Sequence, residues 1–443
     1  MDRVSPAAYS GENIPVLDGL TEVLRPAVAL YLDLHRHPEL SGEERRTAAA
    51  LGEWLREAGY EVTEGIGGHG VVGVLRNGDG PRVMIRAELD ALPMTERTGL
   101  PYASEGPVTH ACGHDLHLAA VAGAASLLAR ARENWHGTVV VVGQPAEETL
   151  AGARAMLEDG LYERFGRPDT VLAQHTAPLL GGMVAHGYGP MLAGSAGFEA
   201  VIHGRAGHAG TPHLAVDPVL TGAAAVLRLQ GAVSRESAPT EQVALNVGSF
   251  HSGTAGNLVP ERASLGITVR ALSERALDRM TGSVERIIRA ECAASGCPRE
   301  PEITVVSRSP VTHPDPAATA AVRRAHVELY GPERVAVWPP AMATEDFPLY
   351  GDAGASVHGM TGIALSYWML GTVGPKTWAR TPGTAEEKLV ALPPNHSPEF
   401  APDVRTALPT GITAMTAAAL VWLRTDRSRA ETGAAAATGT APR

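Results

Sequence analysis

Two short apolar runs rich in β-branched residues, Val83 to Leu89 and Thr138 to Val142, flank a stretch from Leu116 to Arg132 with the apolar spacing of a helix. That order is the β-α-β unit, and it commits the chain to a sheet with helices packed on its faces. A third run, Thr170 to Ala173, follows a helix expected at Gly152 to Asp159, so the first part of the chain reads as an open α/β sheet. Upstream, Ala48, Leu51, Leu55 and Ala58 predict an amphipathic helix over Glu43 to Tyr60, with Ser41 as its N-cap and Gly59 as its end. In open sheets of this kind, functional groups gather at the carboxyl ends of the strands.

The pattern changes near Gly194. Strand-like runs at Gly197 to His203, Val243 to Phe250, Ser264 to Arg270 and Glu302 to Val306 alternate with helices at Asp217 to Val233 and Glu274 to Ala294. This is the split β-α-β order of a ferredoxin-like α+β domain. The expected fold class is therefore α/β: an open mixed sheet in a discontinuous first domain of residues 1–192 and 308–425, with an α+β domain inserted at 193–307. A helix at Pro316 to Tyr330, a strand at Ile363 to Gly371 and a helix at Asp403 to Arg424 complete the first domain, and 426–443 is expected to be a disordered tail. At 443 residues the chain exceeds what one core usually supports, consistent with two domains.

Charge narrows the partners. With 37 basic and 48 acidic residues the net charge is -11, which excludes a broad positive field for nucleic acid or anionic lipid. Residues 1–20 mix charge and proline with no apolar core, so a cytoplasmic location is the default expectation. The longest apolar stretch, Thr413 to Leu423, falls short of the roughly 20 residues a bilayer requires, so no membrane contact is expected. Three cysteines, Cys112, Cys292 and Cys297, form no disulfide framework.

The densest chemical feature is Thr109-His110-Ala-Cys112-Gly-His114-Asp115-Leu-His117, a thiol and three imidazoles of the kind that suit a transition metal. Asp115 is placed to cap the following helix, whose dipole favours a thiolate at Cys112. Next, Glu147 and Glu148 follow the strand Thr138 to Val142; adjacent carboxylates diverge in extended chain, so one can bind metal while the other handles a proton. Taken alone, Pro145 before two acids equally suits the first turn of a helix. His175 is expected to close the strand at Thr170 to Ala173, and His396 sits in a loop between Pro394 and Pro398. Together these segments offer three imidazoles, a thiolate and a carboxylate, more ligands than one tetrahedral ion uses, which points to two metal ions.

The order of these motifs resembles the M20 family of metallopeptidases, in the branch of aminoacylase, hippurate hydrolase and auxin-conjugate hydrolases. The resemblance runs from Leu34-His-Arg-His-Pro-Glu-Leu40 through Arg86-Ala-Glu-Leu-Asp-Ala-Leu-Pro93, His110-Ala-Cys-Gly-His-Asp115, Glu147-Glu148 and Asn395-His-Ser-Pro398. It implies Cys112, His114, Glu148, His175 and His396 as metal ligands, Glu147 as general base and Asp90 as a supporting acid. It also implies that the inserted domain serves as a dimerisation or lid domain. There His208 would steady the oxyanion in a partner subunit's site and Asn257 would assist substrate binding. The chain departs from the branch in carrying Glu88 where Asp is usual, and the bulkier Leu116 or Leu118 where a small residue is usual.

The expected activity is hydrolysis of an N-acyl amino acid or related small amide by a metal-activated water, with Glu147 exchanging the proton. The expected cofactors are two divalent ions, Mn2+ or Zn2+ first and Co2+ or Ni2+ as alternatives. The expected assembly is a homodimer or higher homo-oligomer. A dipeptidase or carboxypeptidase of the same fold and a non-catalytic metal-dependent binding protein are the competing readings. A thiol-redox role for Cys112 is disfavoured because no resolving cysteine lies beside it.

Overall fold

The computed structural model describes residues 14–423, which form two compact units. The tail expected over 426–443 lies outside the described residues. In the first unit, helices α1 (Leu20–Arg36) and α2 (Arg45–Glu57) precede a hairpin of strands β1 (Glu61–Ile66) and β2 (Gly70–Asn77). The N-cap of α2 is Glu44 rather than Ser41, whose hydroxyl is donated instead to Asp90. Gly59 does lie just past the helix, at φ +85°. Strand β2 is buried from Gly70 to Leu75 without alternation, so its sequence carries no period to mark it as a strand.

Strands β3 (Arg82–Glu88) and β4 (Gly137–Gln144) enclose helix α3 (His114–Arg130). Helices α4 (Gly152–Glu158) and α5 (Leu161–Phe165) lead to β5 (Thr170–Leu180) and the short β6 (Val184–His186). Strand β5 thus runs well beyond the expected Ala173, because β-branched and apolar residues continue to Leu180 and a neighbouring strand pairs with its whole length.

The second unit comprises Pro190–His313 and Pro339–Pro348. Its strands β7 (Gly194–His203), β8 (Gly207–His208), β9 (Val243–Ser252), β10 (Leu258–Val259), β11 (Arg262–Ala271) and β12 (Glu302–Ser309) accompany helices α6 (Pro218–Arg235) and α7 (Glu274–Ala294). Asp217 caps α6 by accepting from the amides of Val219 and Leu220, with Pro218 in the first turn, and Ser273 caps α7. The antiparallel sheet runs β12-β7-β11-β9, the fourth-first-third-second order of a ferredoxin-like fold. Along β11 burial alternates, so that Ala263, Leu265, Ile267 and Val269 point into the core under both helices. Residues 339–348, expected in the first domain, belong here because Ala341 and Ala343 accept from the amide of Ala193 and Arg270 donates to the carbonyl of Met342.

The first unit resumes with α8 (Pro316–Tyr330), β13 (Val335–Val337), α9 (Ala355–His358), β14 (Ala364–Val373), α10 (Pro375–Arg380), α11 (Ala385–Ala391) and α12 (Val404–Leu423). Its mixed eight-stranded sheet runs β1-β2-β4-β3-β5-β14-β6-β13. Strands β4, β3, β5 and β14 are mutually parallel, so their carboxyl ends share one edge of the sheet. The apolar run at Thr413 to Leu423 proves to be half of the 20-residue α12, which by length and composition alone suffices to cross a bilayer. It is nevertheless a core helix, 83% buried along its apolar window and packed on α3, α8 and β14.

Candidate metal centre

At that shared edge, the chain leaving each parallel strand carries a polar side chain. The segment after β3 brings Asp90, the segment after β4 brings Glu147 and Glu148, β5 carries His175, and the loops at Cys112 and His396 close over them. The non-glycine residues with positive φ among the described residues are Ala146, Leu150 and His396, at 50°, 57° and 66°. Ala146 and Leu150 lie in the segment after β4 and His396 in its own loop, where the surrounding contacts must hold an unfavourable backbone. At Ala146, buried Glu44 does so by accepting its amide at 2.8 Å. Because the chain at Ala146 is not extended, Glu147 and Glu148 do not diverge as expected: Glu147 Oε2 lies 3.8 Å and Glu148 Oε1 3.9 Å from His114 Nε2.

Helix α3 starts at His114, and Gly113, not Asp115, is its N-cap. Gly113 sits at φ +85° with the Thr176 side chain 2.7 Å from where a Cβ would be, so glycine is required on both counts. Asp115 lies inside the first turn and accepts from the ring of His35 at 2.7 Å.

The ring orientations follow from the hydrogen bonds. His114 Nδ1 donates to the carbonyl of Asp90 at 2.9 Å and approaches its carboxylate at 3.2 Å, which leaves Nε2 as a lone pair. His175 Nδ1 donates to the Thr176 carbonyl at 2.9 Å, aiming Nε2 at Cys112 Sγ, 3.4 Å away. His396 Nε2 lies 3.4 Å from Glu148 Oε2. Cys112, Glu148 and His396 form one group of donor atoms within 4.8 Å, and His114, Glu147 and Glu148 form a second. His114 Nε2 and Glu148 Oε1 are buried without any hydrogen-bond partner, an arrangement that costs about 1–3 kcal/mol for each atom unless a cation meets it. Thiolate, imidazole and carboxylate donors with lone pairs turned inward fit divalent transition-metal ions.

Glu88, His114, His117 and His175 also cluster, but His117 has no free lone pair. Its Nδ1 donates to Glu88 at 2.8 Å and its Nε2 accepts from the amide of Thr176 at 2.8 Å. Glu88 is in turn paired with buried Arg86. Glu88 and His117 thus support the candidate ligands from behind.

Charges at the centre are strongly displaced. Burial pushes the Cys112 thiol up, but His175 and His114 together outweigh it and hold the thiol well below its usual range. Burial lowers His114 and His175, yet Cys112 beside them wins, raising His114 well above its ordinary value and His175 to about 9. Cys112 and Glu148 raise His396 to about 10. The site therefore favours positive charge.

The residues that hold the ligands in place are mostly not those the sequence singled out. Asp90 accepts from Ser41 at 2.7 Å and from the amide of Glu148 at 2.9 Å while orienting His114. Thr176 Oγ1 donates to the Cys112 carbonyl at 2.6 Å, and Asn395 Nδ2 donates to that carbonyl at 3.0 Å and to Thr176 Oγ1 at 2.9 Å. Asn395 is adjacent to His396 and so fell within a motif; Thr176 carries no signal beyond following His175. His110 lies buried with neither ring nitrogen hydrogen-bonded, and burial pulls it down to about 4.

His208 and Asn257 belong to the second unit. There β8 pairs with β10, placing His208 opposite Leu258, and the Asn257 carbonyl accepts from the amide of Ala209 at 3.1 Å. His208 Nδ1 accepts from the amide of Gly210 at 2.9 Å, so the neutral ring carries its proton on Nε2. Both side chains are exposed.

Comparison with known proteins places this geometry in context. Residues 84–377 match the model of peptidase family M20/M25/M40. The chain is 36% identical to a hippurate hydrolase of Campylobacter jejuni over 323 residues, 72% of this chain and 82% of the relative. It is 32% identical to an N-acetylcysteine deacetylase of Bacillus subtilis over 384 residues, 83% of this chain and 94% of the relative. A Bacillus subtilis structure described as a dinuclear metal-binding peptidase of family M20 superimposes with a TM-score of 0.71 at 27% identity, covering 90% of this chain and 99% of that one. The chain belongs to peptidase family M20 and is a hydrolase of amide or peptide bonds.

Proposed function

We propose that the protein is a dinuclear metal-dependent amidohydrolase that cleaves the amide of N-acyl amino acids, with Cys112, His114, Glu148, His175 and His396 holding the cations. The observation that carries this reading is the pair of buried donor atoms without a hydrogen-bond partner, His114 Nε2 and Glu148 Oε1, where two donor groups meet at Glu148. The relatives' named substrates, hippurate and N-acetylcysteine, supply the substrate class. Bound divalent cations supply Lewis acidity, polarising the amide carbonyl and bringing the pKa of water toward neutrality. Manganese or zinc suits this mixed donor set first, cobalt or nickel next.

The chain's own residues do the rest. Glu147, buried beside His114, takes the proton of the attacking water and returns it to the leaving amine nitrogen. Asp90 keeps His114 in the tautomer whose Nε2 is free and holds the amide of Glu148 at the same time. His208 donates from Nε2 to the developing oxyanion in the active site of a second copy of the chain, and Asn257 binds the substrate.

The test is metal analysis of the purified protein together with a panel of N-acetyl and N-benzoyl amino acids and dipeptides. The reading expects two metal equivalents per chain and preferential cleavage of acyl substrates. Faster cleavage of dipeptides would replace it with a dipeptidase, and no turnover of any amide when metal-replete would leave a binding protein.

A further inference from the structure

Cys292 and Cys297 stand at the end of α7 in the second unit and have no part in the reaction above. The helix closes in a Schellman turn. Gly296, at φ +69°, donates its amide to the Ala293 carbonyl at 3.1 Å, and Cys297 donates its amide to the Cys292 carbonyl at 3.0 Å. In that motif the residue after the left-handed glycine folds back onto the last helical turn, and an apolar contact between the two is all that the turn requires. Here both partners are cysteines. Cys292 is buried in the core of the unit, while Cys297 is partly exposed and packs on the same cluster.

The 6→1 hydrogen bond holds the two Cα atoms on a single turn, within reach of the roughly 4.4–6.8 Å that a disulfide spans. Pro298 follows Cys297 and disfavours continuation of the helix beyond the turn. Burial, with Cys297 beside it, pushes the Cys292 thiol up to about 12. Cys297, partly exposed where Cys292 is buried, is the sulfur that an oxidant meets first.

We propose that Cys292 and Cys297 are a reversible dithiol–disulfide couple, oxidised by hydroperoxides, that staples the end of α7. The Cys297 thiolate attacks the terminal oxygen of the hydroperoxide, the O–O bond breaks, and water or an alcohol departs to leave a sulfenic acid. The Cys292 sulfur then attacks Cys297, the S–S bond forms, and hydroxide leaves as water with the Cys292 proton. One hydroperoxide accepts the two electrons, and a small dithiol returns them.

Trypsin provides a direct assay, because cleavage after Arg289 and Arg299 yields one peptide, residues 290–299, holding both of these cysteines and not Cys112. The metal-loaded, full-length protein is treated with a modest excess of hydrogen peroxide, alkylated and digested without reduction. The expected product is the unalkylated peptide, lighter by about 2 Da than the reduced form and restored by dithiothreitol. In Cys297→Ser, Cys292 should remain a free, alkylatable thiol after the same treatment. The proposal is overturned if Cys297 accumulates as sulfinic acid while Cys292 is still alkylated, or if the peptide stays fully reduced at a dose that oxidises an unfolded control.

Discussion

Glu147 and Glu148 show how little a residue's identity says about its task until its geometry is known. Both carboxylates come within 4 Å of His114 Nε2, yet only Glu148 also reaches His396, at 3.4 Å, and shares a donor group with Cys112. Glu147→Gln is expected to retain both metal equivalents and lower kcat by about 10²–10⁴-fold, the usual worth of a positioned proton-transfer group. Glu148→Gln should instead lose metal, read by elemental analysis of the dialysed protein. Equal metal loss in the two variants would mean that both carboxylates are ligands and that the base lies elsewhere.

Among the elements, β5 and the loops it anchors decide how firmly the ligands are held. Thr176 follows His175 on this strand and reaches His117 through its amide, Cys112 through its hydroxyl and Asn395 as an acceptor. Thr176→Val keeps the shape but removes the hydroxyl, and supporting groups of this kind typically govern metal affinity by about 10–100-fold. A loss of that size in a chelator competition is expected for Thr176→Val and not for Thr176→Ser; equal affinity in the two would reduce Thr176 to packing. The elements were readable where their signals were local. Helices α8, from Pro316 to Tyr330, and α7, from Glu274 to Ala294, have the expected spans, and Asp315 and Ser273 cap them. Ser41 and Asp115 were misread for the same reason. Each has the composition of a cap, but Ser41 is drawn to Asp90 and Asp115 to His35, partners far away in the chain.

For the molecule as a whole, the buried pair His186 and His326 predicts an acid response. His326 Nε2 donates to the Ala414 carbonyl at 3.0 Å, so its Nδ1 must accept from His186 Nε2, also at 3.0 Å. Burial lowers His326 to about 4, and burial with the charges of His326 and Arg323 drives His186 well below its ordinary value. The unfolded imidazole titrates near 6.5, so between about 6.5 and 4 the unfolded chain binds the extra proton. Stability is then full above that window and lost as pH falls through it, by about 3 kcal/mol for His326. Urea melts of the metal-free protein should show this slope, and His326→Gln should flatten it; an unchanged slope would place the acid response elsewhere.

Assembly is a second property of the entire chain. Leu220 and Leu227, 70% and 76% exposed, lie seven residues apart on one side of α6, and β9 is an open sheet edge carrying half-exposed Phe250. A second copy of the chain docked on this unit, as the role proposed for His208 requires, would cover both, so Leu220→Glu with Leu227→Glu should halve the mass measured by light scattering. A wild-type protein already monomeric at micromolar concentration would refute it.

Periodicity and the identity of the donors are properties of neighbouring residues, and so the β-α-β unit and the inserted α+β fold could be read from the chain alone, and Cys112, His114, Glu148, His175 and His396 could be put forward from it as candidate ligands. What had to await the folded molecule was everything carried between distant segments. The tautomer of His114 rests on Asp90, 24 residues away, and the position of Cys112 on Asn395, 283 residues away. A hydrogen bond depends on distance and direction in space, and no local pattern encodes either across such separations.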